Sequence, residues 1–324
     1  MSKNPRFPPN PRQVALIIFP GFQILDAAGP IAAFEIAARV APGAYALRVL
    51  APGGGAIASS SGIAMPAAQL KGARLDAIDT LIAVGGNGTP AAMRDTALIA
   101  FLRRAHGRVR RIGSVCSGAF LLAAAGLLEG RRATTHWRQA PRLRAAFPAV
   151  RVEPDCIYIE DKGVWTSAGV SAGIDLALAM IAADLGAKAA TAVAREMVVH
   201  AQRPGGQAQH SALLDLGGGE RFAELNAWMR ENVRGDLSVD ALARRAAMSP
   251  RNFARAYAAA TGVTPAKAVE RLRAEEARAA LERGQPIKLA AAHAGFNDTE
   301  RMRRAFIRLY GAPPAALRRT LKRA

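Results

Sequence analysis

The chain has 324 residues, 51% of them hydrophobic, and carries a formal net charge of +19. This composition excludes a disordered or fibrous chain, and the length is typical of two domains. A net charge this positive attracts polyanionic partners, first nucleic acid and then an anionic membrane surface. The alternative is an Arg-biased composition that only keeps the protein in solution.

Signals for secretion, membrane insertion and metal binding are missing from the sequence. Residues 1–12 are polar and rich in Pro, which predicts a flexible arm rather than a secretion signal. Asp175 and Asp184 interrupt the best apolar stretch, so no membrane span is predicted. Cys116 and Cys156 do not make a disulfide scaffold, and no Cys/His cluster has the spacing of zinc ligands. We therefore expect a cytoplasmic protein with no membrane contact, no metal and no cofactor.

Residues 13–202 alternate between short apolar runs and helical patterns. Continuous apolar runs of this kind are typical of strands buried on both faces of a sheet. The predicted strands are residues 14–19, 45–50, 81–86, 111–115, 156–159 and 164–165. Helices are predicted from about Pro30, directly after residue 116, and over residues 172–185. This alternation predicts an α/β domain with a mostly parallel sheet.

The sequence GSVCSGAF at residues 113–120 places Cys116 between a predicted strand and a predicted helix. A thiol on such a tight turn faces the helix N-terminus, whose dipole and amides are expected to lower its pKa. The adjacent strand ends in Gly85, Gly86 and Gly88, whose amides we expect to form an anion or oxyanion pocket. The alternative is that Cys116 is a small buried hydrophobic residue.

These features resemble the DJ-1/PfpI (class I glutamine-amidotransferase-like) family, and most closely its GlxA-like subgroup, which is fused to a DNA-binding domain. The matching stretches are FPGFQILDAAGPIAAFE, LIAVGGNG, SVCSGAFLLAAAGLLEGRRATTHW and WTSAGVSAGIDLALAMIA, which cover most of residues 14–200. The resemblance implies a flavodoxin-like, parallel-sheet sandwich.

The resemblance also implies a site. Cys116 falls on the family's reactive cysteine, Asp26 on its acidic partner and His136 on its histidine. Such a set activates a nucleophile or forms a ligand pocket with a vestigial triad. Four residues are expected to line a ligand or oxyanion pocket: Gly86, Asn87, Ser117 and Trp137. In the alternative interpretation, Asp26 caps a helix that begins at Pro30, and His136 is a surface hydrogen-bond donor.

The GlxA-like subgroup is regarded as sensory rather than catalytic. This implies a pocket for a small nitrogen-containing metabolite, such as an amino acid or amine. A quaternary amine would need an aromatic cage, for which Trp137, Trp165 and Phe22 are the candidates. Related domains commonly dimerise, which implies a homodimer.

Residues 203–220 are rich in Gly and polar residues, which predicts a linker between domains. Strand signals disappear after it, so residues 221–324 are expected to be all-helical. This segment is the more basic end of the chain, with 21 Lys and Arg against 10 Asp and Glu. Nucleic acid is therefore the expected partner of this domain.

Two helix-turn-helix patterns occupy the C-terminal segment. In the first, Ser238 is the predicted N-cap, and a second helix runs from Pro250 to Gly262. In the second, a helix over residues 287–295 precedes one that Asn297 is expected to cap. A helix over residues 264–284, roughly 30 Å long, joins the two patterns. That length suits two recognition helices in successive major grooves of DNA, roughly 34 Å apart.

The second helix of each pattern carries exposed donors for base edges and phosphates. The predicted DNA-binding residues are Arg251, Asn252, Arg255, Thr299, Arg301, Arg303, Arg304 and Arg308. The alternative is a helical bundle with Arg on its wet face. The stretches SVDALARRAAMSPRNFARAYAAATGVTPAKAVERLR and AAAHAGFNDTERMRRAFIRLYGAPPAALRR resemble the AraC/XylS-type DNA-binding domain over about 100 residues. Met302 departs from that pattern, where an aromatic is more usual.

The sequence therefore predicts a ligand-responsive transcription regulator, with double-stranded DNA and a small-molecule effector as its partners. One alternative is a cysteine-dependent hydrolase or hydratase built on Cys116, Asp26 and His136. Another is a redox sensor in which oxidation of Cys116 changes the affinity for DNA.

Overall fold

The computed structural model describes residues 11–199, 203, 205–206, 209, 219–310 and 312–316. Contacts within the chain divide it after Gln209 into two units. The predicted linker lies mostly outside the described residues, as do residues 1–10 of the predicted arm. Arg12, the last residue of that arm, already belongs to the first strand. The domain boundaries at 13–202, 203–220 and 221–324 stay predictions.

The first unit contains ten strands in its described part. They are β1 (Arg12–Ile17), β2 (Tyr45–Ala51), β3 (Gly55–Ala58), β4 (Ala64–Gln69), β5 (Thr80–Ala83), β6 (Arg111–Val115), β7 (Arg132–Ala133), β8 (Arg151–Val152), β9 (Tyr158–Asp161) and β10 (Val164–Ser167). Eight form one sheet in the order β3-β4-β2-β1-β5-β6-β10-β9, and β7 pairs with β8. Only the edge strands β3 and β9 run antiparallel to their neighbours in that sheet. The expectation of a flavodoxin-like, mostly parallel sheet is confirmed.

Helices connect these strands and pack in two groups. They are α1 (Ile24–Val40), α2 (Thr89–Ala92), α3 (Thr96–Ala105), α4 (Gly118–Ala124), α5 (Ala140–Ala146), α6 (Ala172–Leu185) and α7 (Ala187–Glu196). The first group is α1, α6 and α7, and the second is α2, α3 and α4. Every residue of β5 and β6 is buried, as expected of central strands in a parallel sheet that helices cover on both faces.

Two of the predicted elements match the structure residue for residue, the strand 111–115 and the helix 172–185. The helix expected from about Pro30 instead begins at Ile24, because Gln23 caps it and accepts the N–H of Leu25 at 3.4 Å. Pro30 lies inside this helix. The interpretation of Asp26 as the cap of a helix starting at Pro30 is therefore wrong.

The second unit is all-helical in its described part, as predicted. Its helices are α8 (Gly219–Glu231), α9 (Val239–Arg245), α10 (Pro250–Thr261), α11 (Pro265–Glu282), α12 (Ile287–His293) and α13 (Thr299–Tyr310). Ser238 caps α9, with its Oγ accepting the N–H of Ala241 at 3.2 Å. Gly262 ends α10 at a left-handed φ of 74°. The prediction that Asn297 caps the last helix is wrong, because Asp298 accepts the N–H of Arg301 at 2.6 Å.

Helix α11 belongs to two small cores. Val269 and Leu272 pack in the first core with α8, α9 and α10, whereas Ala277 and Leu281 pack in the second with α12 and α13. Met302 lies fully buried in that second core, so the departure from an aromatic leaves a filled position. Helix α11 thus packs against both helix-turn-helix patterns and joins them. No helix in the described part of the chain is long and apolar enough to cross a membrane.

Candidate functional site

Cys116 lies on a tight turn between β6 and α4, with a positive φ of 57°. Its N–H donates to the carbonyl oxygen of Ser167 at 3.0 Å, and its own carbonyl accepts the hydroxyl of Thr135 at 2.7 Å. A non-glycine residue in this left-handed region costs about 1–3 kcal/mol, so the surrounding contacts must hold it there. The predicted strand-to-helix turn around the thiol is present.

Two glycines leave room for this turn. A Cβ atom on Gly169 would lie 2.2 Å from the Cβ of Cys116, and one on Gly85 would lie 2.5 Å from the backbone nitrogen of Ser117. Real Cβ atoms do not approach other atoms so closely. Backbone from the end of β5 and from the loop after β10 therefore closes tightly around the cysteine.

Asp26 connects these two backbone segments. Its carboxylate is fully buried and accepts the N–H of Val170 at 2.7 Å and the N–H of Gly85 at 3.2 Å. Val170 is itself held at a φ of 51°, which is rare for a β-branched residue. Strained backbone thus flanks Asp26 at both Cys116 and Val170.

The environment of this pair favours a thiol rather than a thiolate. Burial raises the pKa of the Asp26 carboxyl from 3.8 to about 6, against the effect of its backbone N–H donors. Burial, and then the charge of Asp26, raises the pKa of the Cys116 thiol to about 12, although the N–H of Ser117 acts the other way. The helix N-terminus does act to lower the thiol pKa, but burial and Asp26 outweigh it, so the expectation of a lowered thiol pKa is wrong.

The glycine amides expected to form an oxyanion pocket donate to protein atoms instead. Gly85 donates to Asp26, Gly86 donates to the Oγ of Ser117 at 2.9 Å, and Gly88 donates to a backbone carbonyl at 3.1 Å. These amides hold the fold together around Cys116. The expectation of an anion or oxyanion pocket that includes Gly86 stays a prediction.

A cavity of about 200 Å³ lies beside the next residue, Ser117. Its lining residues are Gly86, Asn87, Thr89, Pro90, Met93, Ser117, Phe120, Gln139 and Arg142. We call it the Ser117 cavity. Three of the four residues expected to line a pocket meet here, while Trp137 and the set of Cys116, Asp26 and His136 are not part of the lining.

His136 and Trp137 form a separate aromatic pair. Their rings stack with centroids 5.8 Å apart, and the guanidinium of Arg138 lies 4.9 Å from the Trp137 ring centroid. The Nδ1 of His136 accepts the N–H of Arg138 at 3.3 Å. His136 follows Thr135, which contacts Cys116. The thiol pKa, however, is shifted by burial, by Asp26 and by Ser117, and His136 is not among these causes.

The structure does not assemble the aromatic cage considered for a quaternary amine. Phe22 is fully buried, and Trp165 stacks on Tyr158 with ring centroids 6.4 Å apart. Trp137, by contrast, is 44% exposed. Each of the three aromatics packs in different surroundings.

The chain that leaves the first unit binds both loops around Cys116. Arg203 forms a salt bridge with the buried Asp175 at 2.6 Å and donates to the Oγ of Ser171 at 3.0 Å. Gln209 accepts the N–H of Trp137 at 2.8 Å and donates to the carbonyl of Thr135 at 2.7 Å. These two side chains fall within the segment predicted to be a linker, and no sequence pattern indicated their contacts.

All eight predicted DNA-binding residues are exposed on α10 and α13. Two of them are held by acids within the domain: Arg303 forms two bonds of 2.8 Å to Glu300, and Arg308 pairs with Glu270. Arg301 and Arg304 form no ion pair with any described residue. They line a groove of about 400 Å³ together with Arg308 and Lys267 of α11, a lysine that the sequence reading missed.

Two family profiles match the chain. That of the DJ-1/PfpI family matches residues 12–183, and that of a helix-turn-helix domain matches residues 242–320. The HTH-type transcriptional regulator GlxA of Rhizobium meliloti (strain 1021) is 34% identical over 281 residues, which is 85% of each protein. The isonitrile hydratase of Pseudomonas putida is 32% identical over 174 residues, covering 52% of this chain and 70% of the hydratase.

Among solved structures, a ThiJ/PfpI family protein from Pseudomonas syringae superposes with a TM-score of 0.55 at 28% identity. The match covers 80% of this chain and 93% of that protein. It agrees with the fold that the DJ-1/PfpI profile indicates.

Proposed function

Since this chain belongs to the DJ-1/PfpI family and is a GlxA-like transcriptional regulator of the AraC type, we propose that a small metabolite controls its affinity for DNA. The metabolite binds in the N-terminal unit, in the Ser117 cavity next to the Cys116 turn. The two helix-turn-helix patterns then enter successive major grooves of the operator. Helix α11, with 18 residues, is about 27 Å long and supports this spacing.

The observation that carries this proposal is the attachment of the outgoing chain to the loops around Cys116. Gln209 binds the loop of Thr135, whose hydroxyl holds the Cys116 carbonyl. Arg203 binds Ser171, which follows Val170, the residue whose N–H holds Asp26. A ligand that shifts either loop changes how firmly the segment toward the DNA-binding domain is held. Such a ligand binds the two states of the protein unequally, as a switch requires.

The test is DNA binding by the full chain, measured by fluorescence anisotropy on the promoter beside its own gene. The titration is repeated with a panel of amino acids, amines and small carboxylates at fixed salt. We expect specific binding whose affinity shifts with one metabolite, and a steep loss of affinity as salt rises. Absence of specific binding under every condition would contradict the proposal.

A second candidate function is a cysteine-dependent hydrolase or hydratase. The strained Cys116 turn beside Asp26 and the similarity to isonitrile hydratase favour it. The raised thiol pKa counts against it, because the thiolate is the nucleophile. Turnover of an isonitrile that Cys116→Ser abolishes would support this activity, and equal background rates in both proteins would exclude that substrate class.

The redox-sensor alternative depends on the same thiol. A pKa raised to about 12 leaves little thiolate at neutral pH, and oxidation follows thiolate character. We therefore expect peroxide to leave DNA binding unchanged in the wild type and in Cys116→Ser alike. Peroxide sensitivity that Cys116→Ser removes would favour the redox sensor instead.

A further inference from the structure

We infer that the metabolite recognised in the Ser117 cavity carries a carboxylate or a similarly small oxyanion, and that Arg142 binds it. This inference rests on the proposed function and names its ligand class. It departs from the sequence-based expectation, under which a bare amine is as suitable as an amino acid.

The charge of the cavity lining is the first argument. Arg142 is the only charged group among the described residues that line it. The amides of Asn87 and Gln139 in the same lining add N–H donors. A lining with one cation and no acid attracts an anion and disfavours a cation.

The placement of Arg142 is the second argument. Its guanidinium carbon lies 5.7 Å from the centroid of the Phe120 ring, and Phe120 also lines the cavity. Arg142 forms no ion pair with any residue that the structure describes, so no carboxylate of that part of the chain occupies its N–H groups. A guanidinium that rests on an aromatic ring keeps its N–H fork free for bidentate binding of a carboxylate.

A cationic ligand without a carboxylate finds no charged partner among the described lining residues. An ammonium group is bound most strongly where an acid or an open aromatic face balances its charge. The described lining contains no acid, and its one aromatic ring, Phe120, already has the guanidinium of Arg142 over it. An amino acid remains compatible through its carboxylate.

The size of the cavity limits the ligand further. About 200 Å³ equals the volume of about six or seven water molecules in the liquid. Sites for drug-sized ligands are about 300–1,000 Å³. The ligand is therefore a small monocarboxylate or amino acid rather than a nucleotide.

The test compares acids with their uncharged amides. Saturation-transfer NMR and calorimetry on the full chain use propionate and propionamide, butyrate and butyramide, and alanine and alaninamide. The variants are Arg142→Gln and its matched control Arg138→Gln, an exposed arginine four residues earlier that does not line the cavity. Choline and ethylamine serve as cationic probes.

We expect at least one acid to bind, with its amide and both cations weaker by about tenfold or more. Arg142→Gln should lose the same factor, while Arg138→Gln should stay within about twofold of the wild type. The inference is overturned if an amide or cation binds as tightly as its acid, if Arg142→Gln keeps full affinity, or if no acid binds.

A second step separates this inference from the proposed function. The acid that binds the protein is added to the DNA titration, and its effect on DNA affinity is measured. An acid that binds through Arg142 but leaves DNA affinity unchanged contradicts the proposed function alone. An effector without a carboxylate that shifts DNA affinity contradicts this inference alone.

Discussion

At the scale of single residues, burial decides the chemistry of the Cys116 site. The sequence pattern and the family resemblance correctly placed a cysteine on a strand-to-helix turn, and the structure brings Asp26 beside it. The thiol pKa was predicted in the wrong direction, because a sequence shows the helix N-terminus but not the burial or the nearby carboxylate. Arg142 could not be predicted because its helix buries only Ala140 and Leu143 and so shows little apolar pattern.

The raised pKa of Asp26 predicts a pH dependence of stability. A buried carboxyl whose pKa rises from 3.8 to about 6 is stabilised in its protonated form by folding. Its contribution is present at low pH and is lost as pH rises between about 4 and 6, by an amount on the order of 3 kcal/mol. Urea unfolding at several pH values measures this loss. Asp26→Asn, which cannot titrate, should lack that part of the slope, and an equal slope in both proteins would contradict the assignment.

The close contact at Gly169 predicts a large effect from a single methyl group. Gly169→Ala places a Cβ 2.2 Å from the Cβ of Cys116 at a φ of 97°, so the turn must move. Gly43→Ala is the matched control, because it has a φ of 80° and open space around the new atom. We expect Gly43→Ala to cost about 1–2 kcal/mol in the free energy of unfolding, and Gly169→Ala clearly more. Equal losses would mean that Gly169 is needed only for its φ.

At the scale of elements, the local sequence pattern decided which strands and helices could be predicted. The strand 111–115 was predicted correctly because it leads directly into the turn at Cys116, and the helix 172–185 because apolar residues dominate it despite Asp175 and Asp184. Strands β3 and β4 were missed because they are short, Ala-rich and mostly exposed at the sheet edge. The α5 helix was missed as well, so Gln139 and Arg142 of the Ser117 cavity had no signal in the sequence.

The hydrogen bond between Gln209 and the Trp137 N–H predicts that loss of the Gln209 side chain lowers the protection of that N–H from exchange. The Trp137 N–H donates to the Gln209 side chain at 2.8 Å, and Gln209→Ala removes that acceptor. Hydrogen exchange measured by mass spectrometry should show the peptide containing Trp137 exchanging about tenfold faster. Gln69→Ala, at an exposed position at the end of β4, is the control and should leave this peptide unchanged. Unaltered exchange in Gln209→Ala would contradict the attachment of the segment around Gln209 to the loop that holds Cys116.

At the scale of the whole molecule, the charge distribution pointed to the DNA-binding end before any motif was considered. The last 104 residues carry 21 basic and 10 acidic side chains, and the helix-turn-helix profile falls within them. Composition could not show which arginines have acidic partners. That distinction needed the positions of Glu270 and Glu300 in the fold.

The ion pairs predict unequal contributions from neighbouring arginines. Arg304→Ala should weaken DNA binding by about 1–3 kcal/mol, or lower the salt slope by about one if it meets a phosphate. Arg303→Ala should cost less, because Arg303 must first leave Glu300 to reach DNA. Anisotropy titrations over a range of salt concentrations measure both effects. A larger loss from Arg303→Ala would mean that DNA binding breaks the Glu300 pair.

The most direct test of a sensor coupled to a DNA-binding domain is reciprocity between its two ligands. Calorimetry would measure the affinity of the full chain for its effector acid with and without saturating operator DNA. Coupling requires the effector affinity to change by the same factor by which the effector changes DNA affinity, typically about 5–150-fold. An effector affinity that operator DNA leaves unchanged would show that the two units act independently. It would contradict control of DNA binding by a metabolite in the N-terminal unit.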